Sequence, residues 1–281
     1  MRGEFVDLGG SRLYYYAAGT RGAGEPLLFM HGFPASSLLW QGVVRELSES
    51  SPGHRMVVID LLGFGRSDRP LDASLSAASH AERVRDLMDG LRIDSACIVG
   101  HAMGGAVAQA LACGWPERVT RVCLVNSVAF DAWPRRAARL ARWLCASEAM
   151  GRRIGAPLLA SLVHGSLLTG YADAEVGRRS LDSFLHAFTS RLGADTLVAQ
   201  LRAMRDPTVE SLGDRLGTFG KPTAIVWGEL DPIIGLSVGE RLRDAIPGAT
   251  LEVIEGGRHF TPVETPERIA KVVGELLGRR S

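Results

Sequence analysis

This 281-residue sequence carries almost no net charge and no long apolar run. Lys and Arg total 32 against 31 Asp and Glu, a net charge of +1 at pH 7, so the basic surplus expected of a nucleic-acid-binding protein is absent. No run reaches the roughly 18 apolar residues of a membrane-spanning helix, and the N-terminal MRGEFVDLGG has no apolar signal core. We therefore expect no nucleic-acid partner and no stable membrane insertion, and we predict a small-molecule partner.

Cysteines are few, and none of them forms a CxxC pair. Three lie in apolar runs, where a reduced cysteine behaves as a small hydrophobic residue; the full set is Cys97, Cys113, Cys123 and Cys145. This usage predicts free thiols in a reducing compartment, and hence a cytoplasmic protein. No His, Cys and carboxylate cluster has the spacing of a metal site, and no GxxxxGK phosphate loop is present. We expect neither a metal nor a cofactor.

Short apolar runs rich in β-branched residues alternate with helical patterns along the chain. Continuous apolar runs closed by Gly or a polar residue are typical of parallel strands that are buried on both faces. The runs are RLYYYAAG, PLLFMHG, RMVVIDLLG, ACIVGHA, VCLVNSVAF, TAIVWGELD and LEVIEGGRHF. This alternation predicts an α/β protein with a doubly wound, mostly parallel sheet.

One interval, residues 131–217, interrupts this alternation. It contains no buried-strand pattern, and its Arg, Ala, Leu and Trp residues recur at helical spacing. We predict that 131–217 is a helical cap inserted into a core formed by residues 1–130 and 218–281.

The stretch Gly100-His101-Ala102-Met103-Gly104, followed by Gly105, lies between a predicted strand and a predicted helix. In this context the spacing is typical of a nucleophile elbow, a strained turn that projects its central side chain above the sheet. Small residues are required there because the turn brings backbone against backbone. The central residue is Ala102, where a nucleophile would be expected.

Four further motifs accompany this elbow, in the order MHGFP, DLLGFGRSDRP, WGELDPI and GGRHF. With them the chain resembles the α/β-hydrolase superfamily over nearly its full length, and within it the capped esterase, perhydrolase and epoxide-hydrolase-like group. The resemblance implies the order nucleophile, acid, base, which falls on Ala102, Asp231 and His259. It also implies an oxyanion hole formed by the backbone N–H groups of Phe33 and Met103.

Two details of the site stay open in the sequence. Glu229 lies two residues from Asp231 and is an alternative acid, whereas Asn126, at the position where some relatives carry the acid, cannot ionise. We also expect a group of aromatic, histidine and glycine residues to line the substrate-binding site: His31, Gly32, Trp40, His101, Trp133 and Trp143.

Ala102 has no group that can form a covalent intermediate, so this chain is expected to be inactive in acyl transfer. In another serine hydrolase, loss of the nucleophile costs roughly six orders of magnitude in turnover. Three interpretations remain open: a serine replaced to trap a ligand, a natural non-catalytic member, and chemistry that uses His259 as base without a nucleophile. Serine fits better than the aspartate of epoxide hydrolases, because Met103 rather than Trp follows the elbow and the insertion has only one tyrosine, Tyr171.

The sequence therefore predicts a serine-type hydrolase of a carboxylic ester or lactone with an apolar substrate, whose nucleophile is absent in this chain. A carbon–carbon bond hydrolase and a non-catalytic ligand-binding protein are the alternatives.

Overall fold

A computed structural model describes residues 3–20, 24–132, 156–203 and 206–278. Eight strands form one sheet in the order β1-β2-β4-β3-β5-β6-β7-β8. The strands are β1 (Gly3–Asp7), β2 (Arg12–Ala18), β3 (Leu27–Met30), β4 (Met56–Ile59), β5 (Ala96–His101), β6 (Val119–Val125), β7 (Thr223–Gly228) and β8 (Thr250–Ile254). β2 is antiparallel to β1 and β4, and all other neighbours are parallel. The predicted doubly wound, mostly parallel sheet is confirmed.

The central strands are buried along their whole length because helices cover the sheet. Every residue of β3, β4, β5 and β7 is buried, as expected for parallel strands without a solvent-facing side.

Helices connect the strands as the alternation predicts. They are α1 (Gln41–Ser50), α2 (Ala77–Gly90), α3 (Met103–Gly114), α4 (Ala156–Leu168), α5 (Ala174–Leu185), α6 (Arg191–Ala203), α7 (Leu212–Arg215), α8 (Leu236–Ala245), α9 (Thr261–Glu264) and α10 (Pro266–Leu277). Short 3-10 helices cover Ser37–Trp40, Pro116–Arg118, His186–Phe188, Pro207–Ser211 and Leu216–Thr218. α1 packs against α10, and α2 packs against α3. Within the described ranges, no helix has the length and apolar character needed to cross a bilayer.

Between β6 and β7 the described residues are helical. α4 contacts α5 and α6, whereas α7 contacts α3 and α8, the helices beside the sheet. Trp133 and Trp143, expected at the substrate site, lie outside the described residues. The division into a core and a 131–217 cap therefore stays a prediction.

The turn from β5 into α3 packs too tightly for ordinary side chains at its glycines. A Cβ added to Gly104 would lie 2.6 Å from the carbonyl oxygen of His31 and closer still to that of Met30. A Cβ added to Gly105 would overlap the side chain of Ser127. Helix α3 can lie this close to β3 and β6 only because these positions lack a side chain.

Gly104→Ala should lower the free energy of unfolding by about 1–3 kcal/mol, because the new methyl group meets backbone that cannot move without disturbing the sheet. The matched control is Gly114→Ala at the other end of α3, where nothing lies within 4 Å of an added Cβ. The control should change stability by less than about 0.5 kcal/mol or increase it. Chemical denaturation measures both variants, and equal stabilities would contradict the packing argument.

Candidate active site

Ala102 sits at the point where β5 passes into α3, in a backbone conformation that alanine rarely adopts. Its φ is 48° and its ψ is −114°, a strained region for a residue with a Cβ. The carbonyl oxygen of Ala102 accepts from the N–H groups of Gly105 and Val128, both at 3.0 Å, and its own N–H donates to the carbonyl of Val125 at 3.1 Å. These bonds hold the elbow in place although no side-chain nucleophile is present.

Asp231 and His259 follow β7 and β8 and meet beside this elbow. Nδ1 of His259 donates to Oδ2 of Asp231 at 2.8 Å. Oδ1 of Asp231 accepts from the backbone N–H groups of Ile233 at 2.8 Å and Ile234 at 3.0 Å. Glu229, the alternative acid, is turned away and accepts from the backbone N–H of Gly256 at 2.9 Å.

The surroundings of Asp231 favour its ionised form. Burial alone would raise the pKa of this carboxyl group, but His259, the backbone N–H of Ile234 and the amide of Asn126 together lower the pKa below its usual value. The ionised carboxylate can therefore stabilise a positive charge on the His259 ring.

Two buried histidines lie beside the site, and one of them, His101, contacts the base. His101 donates from Nε2 to the backbone carbonyl of His259 at 2.9 Å, and the two rings are 4.8 Å apart. Burial and the nearby His259 lower the pKa of His101 to about 3, so its ring is neutral. His31 donates from Nδ1 to the carbonyl of Gly32 at 2.9 Å and accepts at Nε2 from the N–H of Leu61 at 3.0 Å. Burial lowers the pKa of His31 as well.

Three of the expected substrate-contacting residues are enclosed by the protein itself. His31, His101 and Trp40 are fully buried, and the Trp40 ring packs against Phe29 and His101. Side chains with no exposed surface pack the loops around the site, and a direct contact of these three residues with a substrate stays a prediction.

The loop after β3 faces the elbow. A Cβ added to Gly32 would lie 2.6 Å from the Cβ of Ala102, so the two backbones approach closely. Phe33 and Met103 each keep a small exposed surface, 8% and 9% of the full accessible area of the residue. Met103 is the first residue of α3, where the backbone N–H has no partner within the helix and is available to an anion.

The segment that joins α4 to α5 is hydrogen-bonded to the loop that carries His259. The carbonyl of Gly170 accepts from the backbone N–H groups of His259 at 2.9 Å and Phe260 at 3.1 Å. The Tyr171 ring stacks on Phe260 with centroids 4.2 Å apart, and Glu264 accepts from the backbone N–H of Asp173 at 2.8 Å. The helical insertion thus contacts the base directly through the backbone.

Sequence reasoning missed three of these residues. Asn126 directly follows β6, the strand beside β7, and this position is the signal in the sequence for its contact with Asp231. Gly170 and Glu264 carry no local signal, because their contacts join segments about 90 residues apart. Among the residues that the structure describes, no group of His, Cys, Asp and Glu is arranged to hold a metal ion.

Comparisons with known proteins agree with this fold. A family model described as alpha/beta hydrolase fold matches residues 25–145. An uncharacterized protein of Mycobacterium tuberculosis is 32% identical over 94% of this chain and 78% of its own length. A 2-hydroxymuconate semialdehyde hydrolase of Pseudomonas sp. is 30% identical over 93% of this chain and 92% of its own. The solved structure of Est816, described as an N-acyl homoserine lactone degrading enzyme, superposes with a TM-score of 0.74 at 26% identity, covering 96% of this chain and 98% of that one.

The pKa of Asp231 predicts a specific pH dependence of stability. Because folding lowers this pKa, the ionised carboxylate stabilises the folded state. This stabilisation is complete above the pKa of the unfolded chain, about 3.9, and is lost as the pH falls through the lower pKa of the folded chain. Asp231→Asn should therefore show a flatter decline in the free energy of unfolding below about pH 4 than the parent chain. Denaturant titrations at a series of pH values measure the two slopes, and parallel curves would refute the assignment.

Proposed function

The chain belongs to the α/β-hydrolase family, and on that premise we propose that its site is built for serine-type hydrolysis of a carboxylic ester or lactone, with the nucleophile absent at Ala102. The buried hydrogen bond of 2.8 Å between His259 and Asp231 carries this proposal. Because Nδ1 of His259 is occupied by the carboxylate, Nε2 is the nitrogen that remains to exchange a proton with a nucleophile and a leaving group.

With serine at position 102, the proposed reaction follows from the surrounding groups. The hydroxyl oxygen attacks the carbonyl carbon while His259 takes its proton, and Asp231 stabilises the resulting imidazolium. The backbone N–H groups of Met103 and Phe33 would receive the developing oxyanion, each contributing about 3 kcal/mol in enzymes of this type. His259 then protonates the leaving alkoxide, and water releases the acyl group by the reverse sequence.

The conformation of Ala102 supports serine as the residue for which the site is built. A φ of 48° at a residue with a Cβ costs about 1–3 kcal/mol and is found where the surrounding structure enforces it. An alanine gains nothing from this strain, whereas a serine would gain an exposed nucleophile. We accordingly propose that the form with Ala102 is competent to bind substrate and catalytically silent.

Phe33 and Met103, the apolar residues beside the elbow that keep some exposed surface, support an apolar substrate. The Phe64 ring packs against Phe33, with centroids 6.4 Å apart, and against Phe188 of the helical insertion, with centroids 6.2 Å apart. The lactone-degrading relative of known structure is consistent with a lactone as one form of this substrate.

We also propose that residues 131–217 act as a cap and that the protein is cytoplasmic. The free thiols of Cys97, Cys113 and Cys123 support the second proposal.

Carbon–carbon bond hydrolysis is the second candidate. It is favoured by the similarity to the 2-hydroxymuconate semialdehyde hydrolase over more than nine-tenths of both chains. The same Asp231–His259 pair would serve there to move a proton onto the leaving carbon. The third candidate is ligand binding without turnover, in which the Asp231–His259 pair would have no catalytic role.

The deciding comparison is between the parent chain, Ala102→Ser and Ala102→Ser with His259→Ala, each offered three substrate classes: a chain-length series of p-nitrophenyl esters, lactones and vinylogous diketones. We expect hydrolysis by Ala102→Ser to exceed that of the other two forms by roughly 10⁴- to 10⁶-fold. Activity of Ala102→Ser on vinylogous diketones alone would select the carbon–carbon candidate. Silence on all three classes, together with tight binding, would reject the hydrolase proposal.

A further inference from the structure

Asn126 is buried and contacts Oδ2 of Asp231, the carboxylate oxygen that does not accept from the backbone N–H groups of Ile233 and Ile234. Its amide Nδ2 donates to Oδ2 of Asp231 at 2.7 Å and to the carbonyl of Arg258 at 3.2 Å. The same carboxylate oxygen accepts from His259. Asn126 therefore touches both the acid and the loop that carries the base.

The orientation of this amide is determined by its neighbours. The two groups on the nitrogen side, a carboxylate and a carbonyl, can only accept hydrogen bonds. On the oxygen side, the hydroxyl of Thr261 donates to Oδ1 of Asn126 at 2.8 Å. A reversed amide would oppose its oxygen to the Asp231 carboxylate and its NH₂ group to the Thr261 hydroxyl, so the observed orientation is favoured.

The backbone explains why asparagine suits this position. Asn126 has a φ of 43° at the end of β6, in the left-handed region that asparagine tolerates better than most residues. Its N–H still donates to the carbonyl of Val226 at 2.9 Å, which holds the residue against β7. Asn126 and Thr261 are both almost completely buried, so water does not compete for these hydrogen bonds.

We propose that Asn126 is a positioning residue, which Thr261 orients so that its amide holds the Asp231 carboxylate against Nδ1 of His259. The proposal rests on the proposed function insofar as it takes His259 to be the base. Among the described residues, His259 and His101 are the titratable side chains that interact with Asp231, and His259 is the strongest of the groups that lower the pKa of this carboxyl group. The amide of Asn126 is one of the groups that lower the pKa of Asp231.

The direct test uses the chain with Ala102 and two substitutions of one residue. Thr261→Val removes the hydroxyl at nearly constant volume, and Thr261→Ser keeps it. Proton NMR follows the downfield resonance of the His259 Nδ1–H, and carbon NMR follows the titration of the Asp231 carboxyl group. We expect Thr261→Val to raise the pKa of Asp231 and to shift or broaden the Nδ1–H resonance. Thr261→Ser should leave both as they are in the parent chain.

Asn126→Asp and Asn126→Ala extend the test to the positioning residue itself. The aspartate would bring two carboxyl groups to hydrogen-bonding distance, so the pKa of Asp231 should rise further than in Asn126→Ala. In the Ala102→Ser background, Thr261→Val should lower kcat about tenfold with little change in KM. A misplaced acid reduces the stabilisation of the transition state more than it reduces substrate binding.

Unchanged NMR signals in a folded Thr261→Val variant would overturn the proposal, as would the same changes in Thr261→Ser. A loss of stability alone, with the Asp231 titration intact, would also overturn it by showing a purely structural contact. If Ala102→Ser hydrolyses nothing, the proposed function fails, while the NMR measurements on the Ala102 chain still decide the role of Asn126.

Discussion

The hydrogen bond between Nδ1 of His259 and the buried carboxylate of Asp231 is the interaction on which the site depends. Burying an ionised carboxylate is unfavourable unless its oxygens are fully hydrogen-bonded. Here both oxygens are used, one by the backbone N–H groups of Ile233 and Ile234 and the other by His259 and Asn126. The carboxylate is consequently fixed in place and can orient a single tautomer of the imidazole ring.

Close backbone packing gives this pair its position relative to the elbow. Gly104 and Gly105 let α3 approach β3 and β6, and Gly32 lets the following loop approach Ala102. The His259 loop is held on two sides, by the side chain of His101 and by the backbone carbonyl of Gly170. The segment that joins α4 to α5 therefore takes part in fixing the position of the base.

The sequence predicted seven of the eight strands because buried strands leave a continuous apolar pattern, whereas the edge strand β1 has no buried residue and left no such pattern. The resemblance of its motifs to those of α/β-hydrolases implied Asp231 and His259 as acid and base, and the structure brings the two side chains together. Burial was harder to predict, since His31, Trp40 and His101 have polar or aromatic character that suits either a ligand site or a core. Asn126, Gly170 and Glu264 act through contacts between distant segments, for which local sequence carries no periodic signal.

The central claim is that this site activates a serine at position 102. Intact-protein mass spectrometry of Ala102→Ser after treatment with a fluorophosphonate tests it directly, because the activated serine oxygen forms a bond to phosphorus and displaces fluoride. The account predicts one stoichiometric adduct on residue 102, formed much more slowly when His259→Ala is added. A folded Ala102→Ser protein that remains unmodified, or reacts equally fast without His259, would contradict it.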